Sequence, residues 1–185
     1  MEKKDIVVVT GANGFVGSHL VDLLISKNFE VRCLVRKSSN LKWIDNKKVK
    51  IYDTGLFDKE GIRKAFEGVN FLFHVAGVVK AKKEEDYFKG NVETTRILLE
   101  TALEFKDSLK KIIVVSSQTV AGPSLDGNPV TEDMEPKPIT TYGRSKFEEE
   151  KTAQKFMNEL PITICRAPAV FGQRDTEIFI FFKTF

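Results

Sequence analysis

Ile6-Val7-Val8-Val9-Thr10-Gly11-Ala12-Asn13-Gly14-Phe15-Val16-Gly17-Ser18-His19-Leu20-Val21 reads as a strand, a glycine turn and the start of a helix. Val7, Val8 and Val9 are apolar without alternation, the pattern of a parallel strand buried on both faces. Gly11 suits a tight turn, Gly14 a close approach of backbone to a pyrophosphate, and Gly17 a helix packed hard on its strand. A helix starting here would turn unpaired N–H groups and a positive dipole end toward a phosphate. The glycine spacing is GxxGxxG, not the GxGxxG of the standard dinucleotide fingerprint. By itself it also fits a strand-to-helix turn that binds nothing.

Working outward, strands and helices alternate. Strands are expected over 30–35, Val49–Tyr52, 70–75, 111–115 and 162–165, and helices over Lys59–Phe66, 84–105 and from Thr141 to just before Pro161. Residues 123–138, rich in Pro, Gly and Asp, read as a loop. Short apolar strands alternating with helices imply an α/β fold, a doubly wound parallel sheet of Rossmann-like kind. The expected organisation is a dinucleotide-binding domain over 1–172, with 173–185 opening a smaller substrate lobe. The apolar, aromatic stretch from Ile178 to Phe185 reads as the first turns of a helix that continues further.

The 185 residues suit one domain with a sizeable core, and 42% hydrophobic and 30% charged content is ordinary for a globular protein. A net charge of +3 gives no argument for nucleic acid. No apolar stretch reaches the length of a membrane span, and Met1-Glu2-Lys3-Lys4-Asp5 runs directly into the first strand without a signal peptide. The mixed runs Lys82-Lys83-Glu84-Glu85-Asp86 and Glu148-Glu149-Glu150-Lys151 read as solvated helix faces. Cys33 and Cys165 lie in strand-like apolar runs and read as buried free thiols, with no disulfide or metal site. A reducing, cytoplasmic setting fits.

Tyr142 and Lys146 are four residues apart at a helix start, so their side chains share a face. A nearby ammonium favours a phenolate and lowers its pKa, which makes such a pair a tuned general acid/base. Ser117, at the carboxyl end of the fifth strand, stands where ligands bind in parallel sheets and could hydrogen-bond a substrate oxygen. Asn91 lies inside the long helix, where asparagine has poor propensity, and suggests a specific polar contact.

These residues carry a resemblance. The stretches from Thr10 to Gly17, Phe73-His74-Val75-Ala76-Gly77, Asn91-Val92, Val115-Ser116-Ser117, Tyr142-Gly143-Arg144-Ser145-Lys146 and the run from Arg166 to Gly172 occur in this order. The set resembles the extended short-chain dehydrogenase/reductases, the NAD(P)-dependent epimerase/dehydratase group, over essentially the whole chain. The resemblance implies Tyr142 as catalytic acid/base. It implies Lys146 lowering the phenol's pKa and holding the nicotinamide ribose, Ser117 orienting the reacting oxygen, and Asn91 anchoring a proton-relay water. It assigns Gly11, Asn13, Gly14, Phe15, Val16, Gly17, Ala76, Gly77 and Pro168, with Tyr142 and Lys146, to the cofactor. It also implies a homodimer through the helices carrying Asn91 and Tyr142, with Leu98, Leu99, Ala102, Phe147 and Phe156 as available apolar surface.

Departures from the pattern are as informative. Where the family places Asp-Leu after the third strand, this chain has Gly55-Leu56, with Asp53 two positions earlier: either Asp53 substitutes through a shifted loop, joining Leu56 at the adenine end, or that contact is lost. An NAD-type site wants an acidic residue about 20 positions past the glycine turn. Here Arg36 stands nineteen past Gly17, and its planar fork could clasp a 2′-phosphate. NADP(H) is therefore expected, with NAD(H) the alternative. Family members usually continue into a substrate lobe, most of which is absent from this sequence. The resemblance implies hydride transfer at a hydroxyl or carbonyl carbon of a sugar nucleotide or of a small ketone or alcohol. The alternative is a nucleotide-binding module without a substrate pocket.

Overall fold

The computed structural model describes residues 4–124 and 127–183. Leu125 and Asp126, within the expected loop, and Thr184 and Phe185, at the end of the apolar stretch, lie outside the described residues, as do Met1, Glu2 and Lys3.

Six strands form one parallel sheet: β1 (Ile6–Thr10), β2 (Glu30–Leu34), β3 (Val49–Tyr52), β4 (Phe71–His74), β5 (Lys111–Ser117) and β6 (Ile162–Ala167). Their order is β3-β2-β1-β4-β5-β6. The chain winds outward from β1 in one direction and resumes at β4 on its other side. The strand order thus reverses between β1 and β4, where an open α/β sheet forms its ligand crevice.

Helices cover both faces. On one, α2 (Lys59–Phe66), α4 (Thr94–Ala102) and α5 (Thr141–Gln154) pack over Val8, Leu34, Leu72, Ile112 and Val114. On the other, α1 (Phe15–Ser26) covers Val7, Val9, Val31 and Cys33. Every residue of β1 is buried, so the unalternating valines are explained by helices above and below. The Asp58 side chain caps α2 by accepting from the Gly61 N–H (3.1 Å), and Thr140 caps α5 by accepting from the Gly143 N–H (2.9 Å).

Three expectations change. The helix expected over 84–105 is α3 (Glu84–Phe88), a π turn (Lys89–Glu93), α4 and a short 3₁₀ turn (Leu103–Phe105). Leu98, Leu99 and Ala102 are fully buried in the core and offer no dimer surface; Phe156 also packs against that core. Cys33 is buried, but Cys165 is exposed: it points to the α1 face of the sheet, and α1 packs on β1 and β2, not on β6. After β6 the chain leads to α6 (Ile178–Lys183), in which Phe179 and Ile180 are half exposed. Among the described residues no helix is long and apolar enough to cross a membrane, and no group of His, Cys, Asp and Glu could hold a metal ion.

Candidate functional site

A cleft of about 740 Å³ opens at the carboxyl ends of β1 to β4. Gly11, Asn13 and Gly14 line it after β1, Arg36 after β2, Asp53 and Leu56 after β3, and Ala76 and Gly77 after β4. Eight residues named from sequence alone, after four different strands, therefore come together, although Arg36 and Ala76 are 40 positions apart.

The turn is built by absence of side chains. Gly11 adopts φ +67°, and a Cβ there would stand 2.7 Å from the Ala76 nitrogen. A Cβ on Gly17 would fall 2.1 Å from the Gly11 carbonyl oxygen. Gly14 caps α1 without a side-chain acceptor, and the first turn carries no acidic residue. The orphan N–H groups of that turn are thus left for an outside acceptor, and no carboxylate competes with an anion there. Phe15 and Val16 lie on this first turn but do not line the cleft. Phe15 stacks edge-on with His19, whose Nε2 hydrogen-bonds the Gln173 carbonyl at 2.8 Å. Pro168, just past β6, is exposed and outside the cleft.

The β2–β3 rim is tied together by backbone. The Gly55 N–H donates to the Val35 carbonyl (2.8 Å), and Arg36 bridges to Thr54. The Arg36 N–H donates to Ser39 Oγ at 3.1 Å, and Arg36 itself is exposed at the cleft rim.

A second group of side chains gathers where β5 meets α5. Ser117 Oγ accepts from the Thr119 N–H (3.3 Å) and hydroxyl (2.9 Å) and shares a hydrogen bond with the Tyr142 phenol. Burial pushes the Tyr142 phenol above its ordinary value; the Ser117 bond opposes this, and the negative charge of Glu149 adds to it. The expected downward pull of Lys146 is not the arrangement found. The Lys146 ammonium is buried, donates to the Val115 carbonyl (2.9 Å) and is ion-paired with Glu149.

Asn91 sits in the π turn, fully buried. Its Oδ1 accepts from the Val78 N–H (2.6 Å), and its Nδ2 donates to the Val78 carbonyl (3.1 Å) and to Ser145 Oγ (2.9 Å). The side-chain amide thereby clamps the loop after β4 to α5, and only a second lone pair of Oδ1 is left for a water. A π turn inside a helix is a common device at functional sites, because it re-aims one side chain. The two groups meet at Gly77: a Cβ there would stand 3.3 Å from Asn91 Oδ1 and 3.7 Å from Lys146 Nζ.

Two carboxylates were missed. Glu149 and Glu150 are buried, not part of a solvated face. Glu150 takes the Arg166 guanidinium in a two-point pair (3.0 and 2.8 Å), fastening α5 to β6. Glu149 stands three residues after Lys146 and seven after Tyr142, a spacing that puts all three on one stripe of the helix.

Residues 7–181 match the model of the NAD dependent epimerase/dehydratase family. The chain belongs to that family. It is similar to the decarboxylating sterol-4-alpha-carboxylate 3-dehydrogenase of Dictyostelium discoideum, at 26% identity over 91% of this chain and 54% of the relative. It is also similar to the UDP-glucose 4-epimerase of Bacillus subtilis, at 32% identity over 76% of this chain and 44% of the relative. Among solved structures, the UDP-glucuronic acid 4-epimerase of Bacillus cereus in complex with NAD superposes with a TM-score of 0.82 at 26% identity, covering 92% of this chain and 59% of that one. The chain spans about half the length of the curated relatives it matches.

Proposed function

We propose that the chain binds a nicotinamide dinucleotide, NADP(H) in preference to NAD(H), and supplies the acid/base side of a hydride transfer at a hydroxyl or carbonyl carbon. The observation that carries this reading is the junction at Gly77, where the glycine-turned cleft reaches Asn91 and Lys146, with the hydrogen-bonded Tyr142–Ser117 pair on the same α5–β5 side of the site. The residues suit the dinucleotide. The first turn of α1 offers free N–H donors and no acid, and Gly11 and Gly14 leave the backbone bare. Asp53 and Leu56 would take the adenine end, and Ala76, Gly77 and Lys146 the nicotinamide ribose. Arg36, on the rim with no acidic residue in its place, would clasp a 2′-phosphate.

The nicotinamide supplies or accepts the hydride. The protein's part is proton transfer and placement. The Tyr142 phenol gives its proton to, or takes one from, the substrate oxygen. Ser117 Oγ, already bonded to that phenol, holds the same oxygen. Lys146 favours the phenolate once its ammonium faces Tyr142. Asn91 keeps the Val78 loop and α5 in register, with its remaining lone pair available to a relay water. The substrate class is a sugar nucleotide or a small ketone or alcohol, which fits relatives named as UDP-sugar epimerases and as sterol dehydrogenases. A homodimer through the outer face of α3 and α4 and the helix carrying Tyr142 completes the reading; Phe88, Val92 and Arg96 border a surface groove there.

Titration calorimetry tests the cofactor. NADP should bind more tightly than NAD, and Arg36→Ala should remove most of the difference; equal affinities in the unaltered protein reject the NADP assignment. Nucleotide binding without turnover on either substrate class supports the alternative, a nucleotide-binding module.

A further inference from the structure

The proposed chemistry leaves one buried carboxylate unused. Glu149 is fully buried on α5, facing Lys146 and Tyr142 of its own helix, His74 at the end of β4 and Thr95 on α4. Its Oε2 is ion-paired with the Lys146 ammonium, which also donates to the Val115 carbonyl of β5. Its Oε1 lies 3.3 Å from the Thr95 hydroxyl oxygen and 3.7 Å from His74 Nε2. Glu150, beside it in sequence, is already neutralised by Arg166 of β6.

Hydrogen-bond accounting fixes the charge on His74. Thr10 Oγ1 accepts from the N–H groups of Val75 (3.2 Å) and Ala76 (3.1 Å), so its own hydrogen goes to His74 Nδ1 at 2.8 Å. His74 then carries its proton on Nε2 and donates to Thr95 Oγ1 at 2.7 Å. Thr95 has the Asn91 carbonyl at 2.6 Å as its nearer acceptor. His74 is therefore neutral, in keeping with burial and the Lys146 charge, which push it down to about 3. Among the described residues Lys146 is left as the cation that reaches Glu149.

We propose that Glu149 is a positioning residue for the site: ionised, it holds the Lys146 ammonium at its own carboxylate, and on taking a proton it releases that ammonium toward Tyr142 and the nucleotide. This rests on the reading of Lys146 and Tyr142 given above. The proton comes from solvent and stays on the Glu149 carboxyl; no electron moves. Burial holds Glu149 up to about 7, so the exchange falls in the neutral range. Removing its cation raises the carboxyl further, so nucleotide binding takes up a proton. Affinity should therefore fall as pH rises above about 7, by up to about tenfold per unit for one linked proton.

Two measurements test it. The first is phenolate absorbance of the unliganded chain during alkaline titration, with Tyr142→Phe subtracted to isolate Tyr142. Glu149→Gln should lower the Tyr142 midpoint by about one unit, as expected for a phenol that loses a neighbouring anion and gains an ammonium. The second is calorimetry of NADP binding to the unaltered chain at pH 8 in two buffers of different ionisation enthalpy. Uptake of up to one proton is expected, and none in Glu149→Gln. An unmoved Tyr142 midpoint in a Gln variant with native circular dichroism overturns the proposal. If that variant does not fold, absence of proton uptake by the unaltered chain overturns it. If no nicotinamide nucleotide binds, the cofactor reading falls, and the Tyr142 titration still decides the role of Glu149.

Discussion

Gly17→Ala is the sharpest test of how the glycine turn is built. In a helix interior alanine is ordinarily better than glycine by up to about 1 kcal/mol, so propensity alone predicts a more stable protein. The structure predicts the reverse. The new methyl would stand 2.1 Å from the Gly11 oxygen, 2.7 Å from the Gly11 carbonyl carbon and 3.0 Å from the Ala12 Cα. All three are backbone atoms, so no rotamer change relieves the contact. To clear it, α1 must slide away from β1 or the turn must open. Overpacking of this kind costs about 1–3 kcal/mol, and the fully backbone clash puts this site at the upper end. The net loss is then about 2 kcal/mol, or roughly 4–8 °C in melting temperature for a chain of this size. Trp43, the single tryptophan, packs against the same core cluster as α1 and reports urea unfolding by fluorescence. Gly14→Ala is the control. Its Cβ would meet only the Gly11 oxygen, at 3.3 Å, and its φ of −81° is open to any residue. It should unfold within about 0.5 kcal/mol of the unaltered protein yet bind nucleotide more weakly, because its methyl faces the approach to the turn. A Gly17→Ala protein as stable as the unaltered one would refute the claim that backbone contact dictates this glycine.

Tyr142→Phe should abolish turnover on a verified substrate while leaving nucleotide affinity within about twofold; full turnover in that variant rejects Tyr142 as the acid/base. Asn91→Leu should cost about 2–4 kcal/mol in denaturant unfolding, since it leaves the half-buried Val78 N–H and carbonyl without their partner and takes from Ser145 Oγ the bond it accepts, and a loss below 1 kcal/mol would show the clamp to be dispensable. Between pH 6.5 and 4.5 two buried groups pull stability in opposite directions. His74, pushed down to about 3, contributes stability above pH 6.5 that is lost as the pH falls, whereas Glu149, held up to about 7, contributes stability below pH 4.5 that is lost as the pH rises. Their slopes, about 1.4 kcal/mol per pH unit each, nearly cancel. His74→Gln should therefore expose the Glu149 slope, so that a folded variant gains stability on acidification from pH 7 to 4.5; a flat profile would mean Glu149 is not held protonated by the fold.

What could be read from the sequence and what could not divide along a physical line. The sheet, its winding and the cleft follow from local chemistry: a triple valine must be covered on both faces, and glycines at three-residue spacing permit one kind of turn. Arg36, Asp53 and Ala76 reach the cleft because each follows a strand end, and parallel strands bring their carboxyl ends to one edge. The error over Glu148-Glu149-Glu150-Lys151 arose because charge runs are assigned by composition, whereas a helix turns 100° per residue and sorts neighbours onto different faces. Glu148 and Lys151 pair at the surface, Glu150 turns inward to Arg166 and Glu149 to Lys146. Spacing to Lys146 was the available signal, since a carboxylate three residues past a buried ammonium shares its stripe. The π turn had no such signal. Its extra residue is stabilised by Asn91 gripping both polar groups of Val78, thirteen positions away, a long-range contact that local propensity does not contain. The acidity of Tyr142 depends on the same kind of information. YxxxK spacing brings an ammonium near a phenol, but which anion that ammonium answers to is decided by the elements packed around it, and here β4, α4 and β5 close over Lys146 and Glu149 together.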